Sequence, residues 1–524
     1  MSRYVNLDAM IPRADFAVLP DDSEQGLSAD KFETVHLQSL GGDSLILPNL
    51  RKPDFQRETN HWSPEQVVQL IESFVDNELI PAVILWPSKQ HLFVIDGGHR
   101  LSALRAWIED DYGDKHISVQ FFGPNISDSQ KRAAQTTRRL VEKRIGSYQY
   151  LKGLLTANAT PDSDSLRRAS NMARRSLRVQ WVEGNAEKAE SSFYKINTQG
   201  TPLDSVEELL IKNRRKSTAI AARSIIRAGS GHKYWTRFSS EFKRDIEQNS
   251  KEVFSLLFEP DTQNPVKTLD LPFGGSAGIR SALELLISYV QFATRTQQGV
   301  IEIDKLHDDE DGSETVKALR QTLKLTSRIT GNKDGSLGLH PAVYFYGPSG
   351  RHSPSLFMGI AFLIAEKLAN NDVAFFRIFS KARGEMEPFI IANKRLLASI
   401  AQQTRSTKRV EVIAKLFETM IRKFANDEVM TREDLVSAAG LKSEVLLSEN
   451  EVDHAAIRFS DDTKSATYIR QALASALKCP ECSGFLHPSK SVSYDHKIRV
   501  ADGGNGSDEN CQLMHPYCNQ TIKN

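Results

Sequence analysis

The chain is 524 residues long, 40% hydrophobic and 25% charged, with a formal net charge of +1. That composition fits a globular protein of roughly two to four domains and excludes collagen-like, disordered and disulfide-stapled classes. A balance so near zero argues neither for nor against a nucleic-acid partner, because the distribution of charge matters more than its sum.

The opening MSRYVNLDAMIPRADF has no apolar h-region, so no secretory signal is expected. The most apolar run, residues 356–365, is half the ~20 residues that a membrane-spanning helix needs, and a buried helix is expected there. All four cysteines fall between Cys479 and Cys518, which makes a disulfide framework improbable. A cytoplasmic location with no membrane partner follows as the expectation.

Residues 47–107 carry the first legible structure. Ser63-Pro64-Glu65 supplies an N-cap and a first-turn proline, and Val67, Leu70, Ile71, Phe74 and Val75 recur on one helical face. Residues 82–86 and 92–95 are short apolar runs bounded by Pro and polar turns, and read as strands. Asp96-Gly97-Gly98-His99-Arg100 then makes a tight turn into a helix bearing Leu101, Leu104 and Trp107. A strand, a Gly turn and a helix start together favour an anion, through backbone N–H groups and the helix dipole. A fold-stabilising turn with Arg100 in an internal ion pair fits the same residues.

Residues 131–178 hold twelve Lys/Arg against three Asp/Glu, with Tyr148 and Tyr150 interleaved. Such a stretch suits contact with a phosphate backbone, and equally a solvated helix face. A further block, FYKINTQGTPL at 193–203, is followed by Glu207-Glu208-Leu209.

Gln56-Arg57, Trp62, Ile80-Pro81, VIDGGHRL at 94–101 and the FYKINTQGTPL block together resemble a ParB/sulfiredoxin-like nucleotide-processing domain. That domain occurs in modification-dependent restriction enzymes of the GmrSD type and in phosphorothioate-sensing defence nucleases. The resemblance implies an α/β domain that binds a nucleotide (GTP, ATP or CTP) or senses DNA. It assigns the site to Gln56, Arg57, Asp96, Gly97, Gly98, His99, Arg100 and Asn197. Asp96 would meet a metal or a polar base edge, Arg57 and Arg100 the phosphates, and Asn197 would close the site. Gly98-His99 stands where the family usually has two glutamines, and resembles the DGQHR variant of phosphorothioate-modification regulators. Because the glutamine pair is tied to hydrolysis, binding is the expectation and NTPase activity stays open.

From about residue 215 to 465 the sequence is informative mainly about helices, with 281–293 and 409–424 amphipathic at helical spacing. Residues 305–314 are acidic and read as a loop, and 449–463 as a linker. Gly347-Pro348-Ser349-Gly350-Arg351-His352 lacks GxxxxGK[ST], so a P-loop is rejected. His340-Pro341, before Tyr344-Phe345-Tyr346, reads as core.

The final 46 residues, 479–524, are the most specific. Cys479-x-x-Cys482 and His515-x-x-Cys518 give four N/S ligands, the closed set of a structural zinc. A redox dithiol would need no HxxC partner. A zinc ribbon would explain the four ligands but not Asp495-His496, the Gly-rich loop and Asn510 between them. A carboxylate beside an imidazole, with a third oxygen donor, suits phosphodiester hydrolysis: one group activates water and the others hold a hard cation. Cys511 reads as a small core residue.

The order CxxC, DH, Gly-rich loop, N, (C/H)xxC resembles the HNH endonucleases, whose ββα-metal fold grips a catalytic divalent ion. Carried over by position, the resemblance makes His496 the general base and Asp495 and Asn519 the ligands of Mg²⁺ or Mn²⁺. Asn510 braces the loop, and Cys479, Cys482, His515 and Cys518 hold Zn²⁺. Asn519 stands where many members have histidine, and His515 where many have cysteine.

The expected architecture is α+β and multidomain. An N-terminal extension (1–45) precedes a ParB/sulfiredoxin-like domain (46–220), a mostly helical middle (221–465) and an HNH endonuclease domain (466–524). The expected function is a metal-dependent DNA endonuclease of restriction or anti-phage defence, regulated by its N-terminal domain. DNA, including modified or phage DNA, and a nucleotide are the expected partners, and a homo-oligomer is compatible. Residues 466–524 hold six Lys/Arg against five Asp/Glu, so the nuclease needs cations from elsewhere to hold DNA. Two alternatives stand: a DNA-binding regulator with a structural zinc HNH module and no cleavage, and a partition-like nucleotide switch with a helix-turn-helix reader.

Overall fold

A computed structural model describes residues 4–16, 31–56, 59, 62–88, 90–124, 126–156, 163–199, 205–276, 278–441 and 459–523. The chain divides into two compact units, 1–214 with 230–234, and 215–229 with 235–524.

The first unit is a six-stranded mixed sheet between helices. Its strands are β1 (Arg13–Ala14), β2 (Thr34–His36), β3 (Leu50–Pro53), β4 (Val83–Pro87), β5 (Leu92–Asp96) and β6 (Ser176–Trp181), in the order β1-β3-β5-β4-β6-β2. β1, β3 and β5 run parallel, as do β4 and β6, while β4–β5 and β2–β6 are antiparallel. Its helices are α1 (Pro64–Val75), α2 (Gly98–Glu109), α3 (His116–Phe122), α4 (Asp128–Arg144), α5 (Tyr148–Leu154), α6 (Ser163–Arg174), α7 (Ala186–Gln199) and α8 (Ser205–Lys212).

The alternation of β5 explains the layers. Leu92 and Val94 join one core with Val67, Ile71, Leu101 and Leu104, while Phe93 and Ile95 join another with Phe16, Phe55 and Phe193. Successive residues of a strand face opposite sides, so a run that is apolar throughout is covered on both. Ser63 starts α1 through a capping box with Gln66, and α1 buries Val67, Val68, Ile71, Phe74 and Val75. Those five side chains contribute on the order of 10 kcal/mol of burial. The expected strands correspond to β4, shifted one residue towards the C-terminus, and β5, one residue longer at its C-terminal end.

The second unit is helical up to the C-terminal module. It contains α9 (Ser217–Ile226), α10 (Ser240–Phe258), α11 (Ile279–Ala293), α12 (Ser313–Ile329), α13 (Pro341–Tyr344), α14 (Pro354–Ala369), α15 (Val373–Ala392), α16 (Lys394–Gln403), α17 (Arg409–Ala425), α18 (Arg432–Ala438) and α19 (Asp461–Ala474). α9 packs on α10, α11 and α12, and α17 on α14 and α15. α14 contains the apolar run 356–365 as a buried helix, and no described helix is long and apolar enough to cross a membrane. His340, Tyr344, Phe345 and Tyr346 are core residues, at 0–1% exposure. Residues 305–314 are irregular apart from the ends of short helices, and buried Asp309 accepts from the Gly312 and Thr315 N–H groups to start α12. Much of the expected linker 449–463 lies outside the described residues. β7 (Ser493–His496) and β8 (Cys511–Met514) close the chain as an antiparallel hairpin, followed by a π-helix at Cys518–Ile522.

Candidate metal centre

Two tight structures carry the paired ligands. Cys479 N–H donates to the Gly484 carbonyl at 2.9 Å and Ser483 N–H to the Cys479 carbonyl at 2.8 Å, which folds Cys479 and Cys482 into one knuckle. Ser483 adopts a positive φ of 55° to close it. His515 follows β8, and Cys518 opens the π-helix one turn later. The four ligand atoms lie within 4.8 Å of one another, and all four residues are buried. Tetrahedral zinc with Zn–S near 2.3 Å puts its ligands about 3.8 Å apart, so the three-sulfur, one-nitrogen set fits that ion.

The surroundings orient the set. His515 Nδ1 lies 3.3 Å from Cys482 Sγ, while Nε2 lies 3.1 Å from the Phe485 carbonyl. A carbonyl at Nε2 takes that N–H and leaves the Nδ1 lone pair for metal. Hydrogen bonds from the Cys482 and Cys518 thiols hold Cys479 well below the usual thiol range, while the Cys479 contact pushes Cys482 up to about 11. Cys511, expected in the core, is instead exposed and stands apart from the four ligands. It pairs with exposed His496 at the end of the hairpin that leads into the 497–510 loop.

The knuckle is riveted to α15. Arg383 and Glu387, at 1% and 0% exposure, pair at 2.7 Å one helical turn apart. Glu387 accepts the Phe485 N–H at 2.6 Å and the Tyr344 hydroxyl at 2.8 Å. Arg383 donates to the carbonyls of Leu337 at 2.5 Å and Gly338 at 3.4 Å. A Cβ on Gly484 would meet Arg383 Nε at 2.5 Å, so only glycine lets the knuckle approach this closely. Further rivets join the module to the helical body. Ser491 Oγ donates to the Gly331 carbonyl at 2.8 Å, and Val492 N–H to Asn332 Oδ1 at 2.8 Å. Tyr517 N–H reaches the Ser336 carbonyl at 2.9 Å, and Lys490 Nζ the Ser255 carbonyl at 2.7 Å.

The β7–β8 register sets Asp495 opposite Gln512 and His496 opposite Cys511. Adjacent strand residues point to opposite faces, so Asp495 is half-buried while His496 is exposed. Gln512 Nε2 donates to Asp495 Oδ2 at 2.9 Å. Lys523 Nζ also pairs with Asp495 Oδ2, and reaches the His496 carbonyl at 2.7 Å. Burial raises the Asp495 carboxyl, but the Lys523 and Gln512 hydrogen bonds outweigh it and hold the group below its ordinary value. Asn519, in the π-helix, packs against β7, its amide nitrogen donating to Ser493 Oγ at 2.7 Å and the Tyr494 carbonyl at 3.3 Å.

Asn510, 8% exposed, ties the intervening loop together. Its Oδ1 accepts the Ile498 N–H at 2.7 Å, and its Nδ2 donates to the carbonyls of Ile498 at 3.1 Å and Asn505 at 2.7 Å. Gly504 packs so closely on Ile498 that a Cβ there would collide with its carbonyl. Asp495, His496 and Asn519 thus share one strand environment, with Asn510 as a loop clamp behind them. Sequence reasoning did not single out Gln512, Lys523, Arg383 or Glu387. The only signal for Lys523 was its position four residues after Asn519, one helical turn on.

The N-terminal set is arranged differently. Gly97 adopts φ 95°, and a Cβ there would meet Val83 Cγ2 at 3.0 Å, so the turn requires glycine. Asp96 and Arg100 pair with each other at 2.6 Å, and Arg100 also donates to the Ala82 carbonyl at 3.1 Å. His99 stacks on Trp62 with ring centroids 5.4 Å apart. Gly98 faces Gln56, whose buried Oε1 has no hydrogen-bond partner among the described residues. A Cβ on Gly98 would also lie 3.7 Å from Lys52, which is buried and pairs with Asp8 at 2.8 Å; Arg13 pairs with Asp8 too. This Asp8–Arg13–Lys52 cluster escaped the sequence reading. Arg57 lies outside the described residues, and Asn197 occupies the last turn of α7.

At least five of the twelve cations in the basic stretch 131–178 hold partners within the fold. Arg138 pairs with Asp110 and Asp114, Arg144 with Glu65, and Arg167 and Arg168 with Asp76, while Arg175 donates to the Ser73 and Phe74 carbonyls. These contacts bind α4 and α6 to α1 and its neighbours.

Residues 40–215 match the family model described as the GmrSD restriction endonuclease N-terminal domain, and residues 479–524 match HNH endonuclease. No curated protein and no solved structure matches the chain. HNH nucleases are metal-dependent, and the buried three-cysteine, one-histidine cluster is compatible with zinc. The two domains support an HNH nuclease of restriction or defence, a hydrolase acting on DNA. The chain therefore joins a GmrSD-type N-terminal domain to a C-terminal HNH endonuclease domain, the make-up of a GmrSD-type fused HNH nuclease.

Proposed function

We propose that the β7–β8 hairpin is the DNA-cutting centre, and that Cys479, Cys482, His515 and Cys518 hold a structural Zn²⁺ behind it. The observation that carries this is the grouping of an exposed imidazole and an ionised carboxylate on β7 with an asparagine of the π-helix hydrogen-bonded to that strand, and the loop after β7 clamped by Asn510. Exposed His496 is free to take a proton from water at the scissile phosphate, as a general base must. Asp495 and the Asn519 amide oxygen would hold Mg²⁺ or Mn²⁺, which supplies positive charge for the developing oxyanion. Lys523 keeps the Asp495 carboxylate ionised beforehand. His496→Ala should lose cleavage of phage or plasmid DNA while keeping its zinc. Cleavage at the wild-type rate would move the centre elsewhere and leave the HNH segment a zinc-held scaffold, whereas a wild-type protein without metal-dependent cleavage would be a DNA-binding regulator.

The N-terminal unit supplies the gate in this proposal. Its Gln56–Gly98 corner presents an unpartnered buried amide oxygen beside a helix N-terminus, which supports recognition of a nucleotide or a modified base. The Asp96–Arg100 ion pair supports a turn-stabilising part for these two residues, which ligand would have to reorganise. Calorimetry with GTP, ATP and CTP tests the nucleotide arm. No binding at millimolar concentration shifts the gate to direct DNA sensing.

A further inference from the structure

The HNH segment is nearly neutral, with six Lys/Arg against five Asp/Glu from residue 466 onward, yet a nuclease must hold a polyanion. The cations have to come from the surface beside it. α12 provides a candidate: a cleft of about 360 Å³ lined by Arg320, Leu323, Lys324, Ser327, Arg328, Lys333 and Asp334. Four cations face one carboxylate there.

Three observations connect this cleft to the nuclease hairpin. Asn332, next to Lys333, accepts the N–H of Val492, the residue immediately before β7. The Arg328 guanidinium lies 5.8 Å from the ring centroid of Tyr517, two residues before Asn519. By strand rise, Val492 stands about 13 Å from His496, or about four steps of a DNA strand. The cleft also holds an incomplete polar surface, because the buried Ser327 hydroxyl has no hydrogen-bond partner among the described residues. The existing ion pairs are exchangeable. Arg320 with Asp245 and Lys333 with Glu252 have side chains 66% and 55% exposed on the cationic side, and such pairs are weak in water. Lys324 is exposed and makes no ion pair among the described residues.

We propose that this α12 cleft seats backbone phosphates of the DNA duplex whose strand enters the β7–β8 hairpin. The proposal rests on the hairpin being the DNA-cutting centre. Lys324, Arg320 and Lys333 exchange their waters and surface carboxylates for phosphate oxygens, and the Ser327 hydroxyl donates to one of them. Such contacts position the duplex without reading its sequence.

The test uses the full chain in two backgrounds. Binding of a labelled duplex is measured by fluorescence anisotropy on His496→Ala protein over a range of salt, and cleavage on protein with His496 intact. Arg320→Ala/Lys324→Ala/Lys333→Ala should weaken binding at least tenfold at low salt. It should also lower the slope of log K against log salt by about 2–3, close to one for each phosphate no longer neutralised. Zinc content and melting temperature report that the variant is folded. Lys324→Ala alone, which breaks no ion pair, should lower the slope by about one. An unchanged slope in a protein that still cuts overturns the cleft and leaves the nuclease reading standing. A lowered slope in a protein that never cuts keeps the cleft and removes the nuclease reading.

Discussion

Arg383→Leu tests how the zinc knuckle is supported. The substitution leaves the Glu387 carboxyl group at 0% exposure without its guanidinium partner, and removes the donor from the Leu337 and Gly338 carbonyls. Breaking a buried pair from one side costs about 3–5 kcal/mol, because the remaining charge has no compensation. For a unit of this size about 2 °C of melting temperature is lost per kcal/mol, so the second unit should melt roughly 6–10 °C lower. Arg383→Leu/Glu387→Gln separates charge from packing. Gln carries no charge and keeps an amide oxygen for the Phe485 N–H, while its amide nitrogen can donate to the Tyr344 hydroxyl oxygen, so the double variant should regain at least half of the stability. Calorimetry on zinc-loaded protein gives both numbers, and zinc release to a chelator reports on the knuckle itself. A single variant within about 2 °C of wild type, or a double variant no more stable than the single, would refute the reasoning.

Other outcomes follow from the same geometry. Cys482→Ser should lose bound zinc, read by metal analysis, and lower the melting temperature, since such ligand sets contribute their binding energy to folding; full zinc retention would sink the four-ligand assignment. His496→Ala should cut about 10²–10⁴-fold more slowly with zinc retained, whereas Asn510→Ala should slow cutting while leaving His496 in place, through a loosened 497–510 loop seen as faster proteolysis. Burial pushes His352 down to about 4, although its bond to the Phe273 carbonyl opposes the shift. A folded value below the unfolded one means that stability is complete above about pH 6.5 and is lost as pH falls towards 4, by up to about 3 kcal/mol. His352→Gln should flatten the acid limb of a melting-temperature profile, and an unchanged limb would assign that acid loss to other groups such as buried His340.

What could be read from the sequence depended on how local each signal was. The zinc ligands come as two pairs of spacing three, and Asp495, His496 and Asn510 sit on one hairpin and its loop, so spacing alone brought them together. The Gly97 turn was legible for the same reason: one positive φ between a strand and a helix. The buried Asp8–Lys52 pair joins residues 44 apart, and no local periodicity marks either. Arg383 and Glu387 look like an ordinary i, i+4 surface pair of a solvated helix, and only tertiary packing turns that face inward. Cys511 went wrong through a residue-type argument, since a free cysteine is usually buried but this one stands exposed where the hairpin meets its loop. The basic stretch 131–178 shows what a charge count cannot give, which is the partners: Asp76 and Asp110, which pair with Arg138, Arg167 and Arg168, lie outside the stretch.

The rivets at Lys490, Ser491, Val492 and Tyr517 limit how such an enzyme can be switched on and off. A nuclease on a flexible tether is controlled by reach: lengthen or shorten the leash and the cut site wanders. Here the hairpin has no leash within the second unit, because backbone and side-chain bonds pin both of its flanks to the helical body. Its freedom is that of the whole unit, moving as one mass, or of the few atoms around Asp495 and Lys523. The distance from any DNA held on that body to the point of cutting is therefore a fixed ruler, and breaks should fall at a constant offset rather than over a spread of positions.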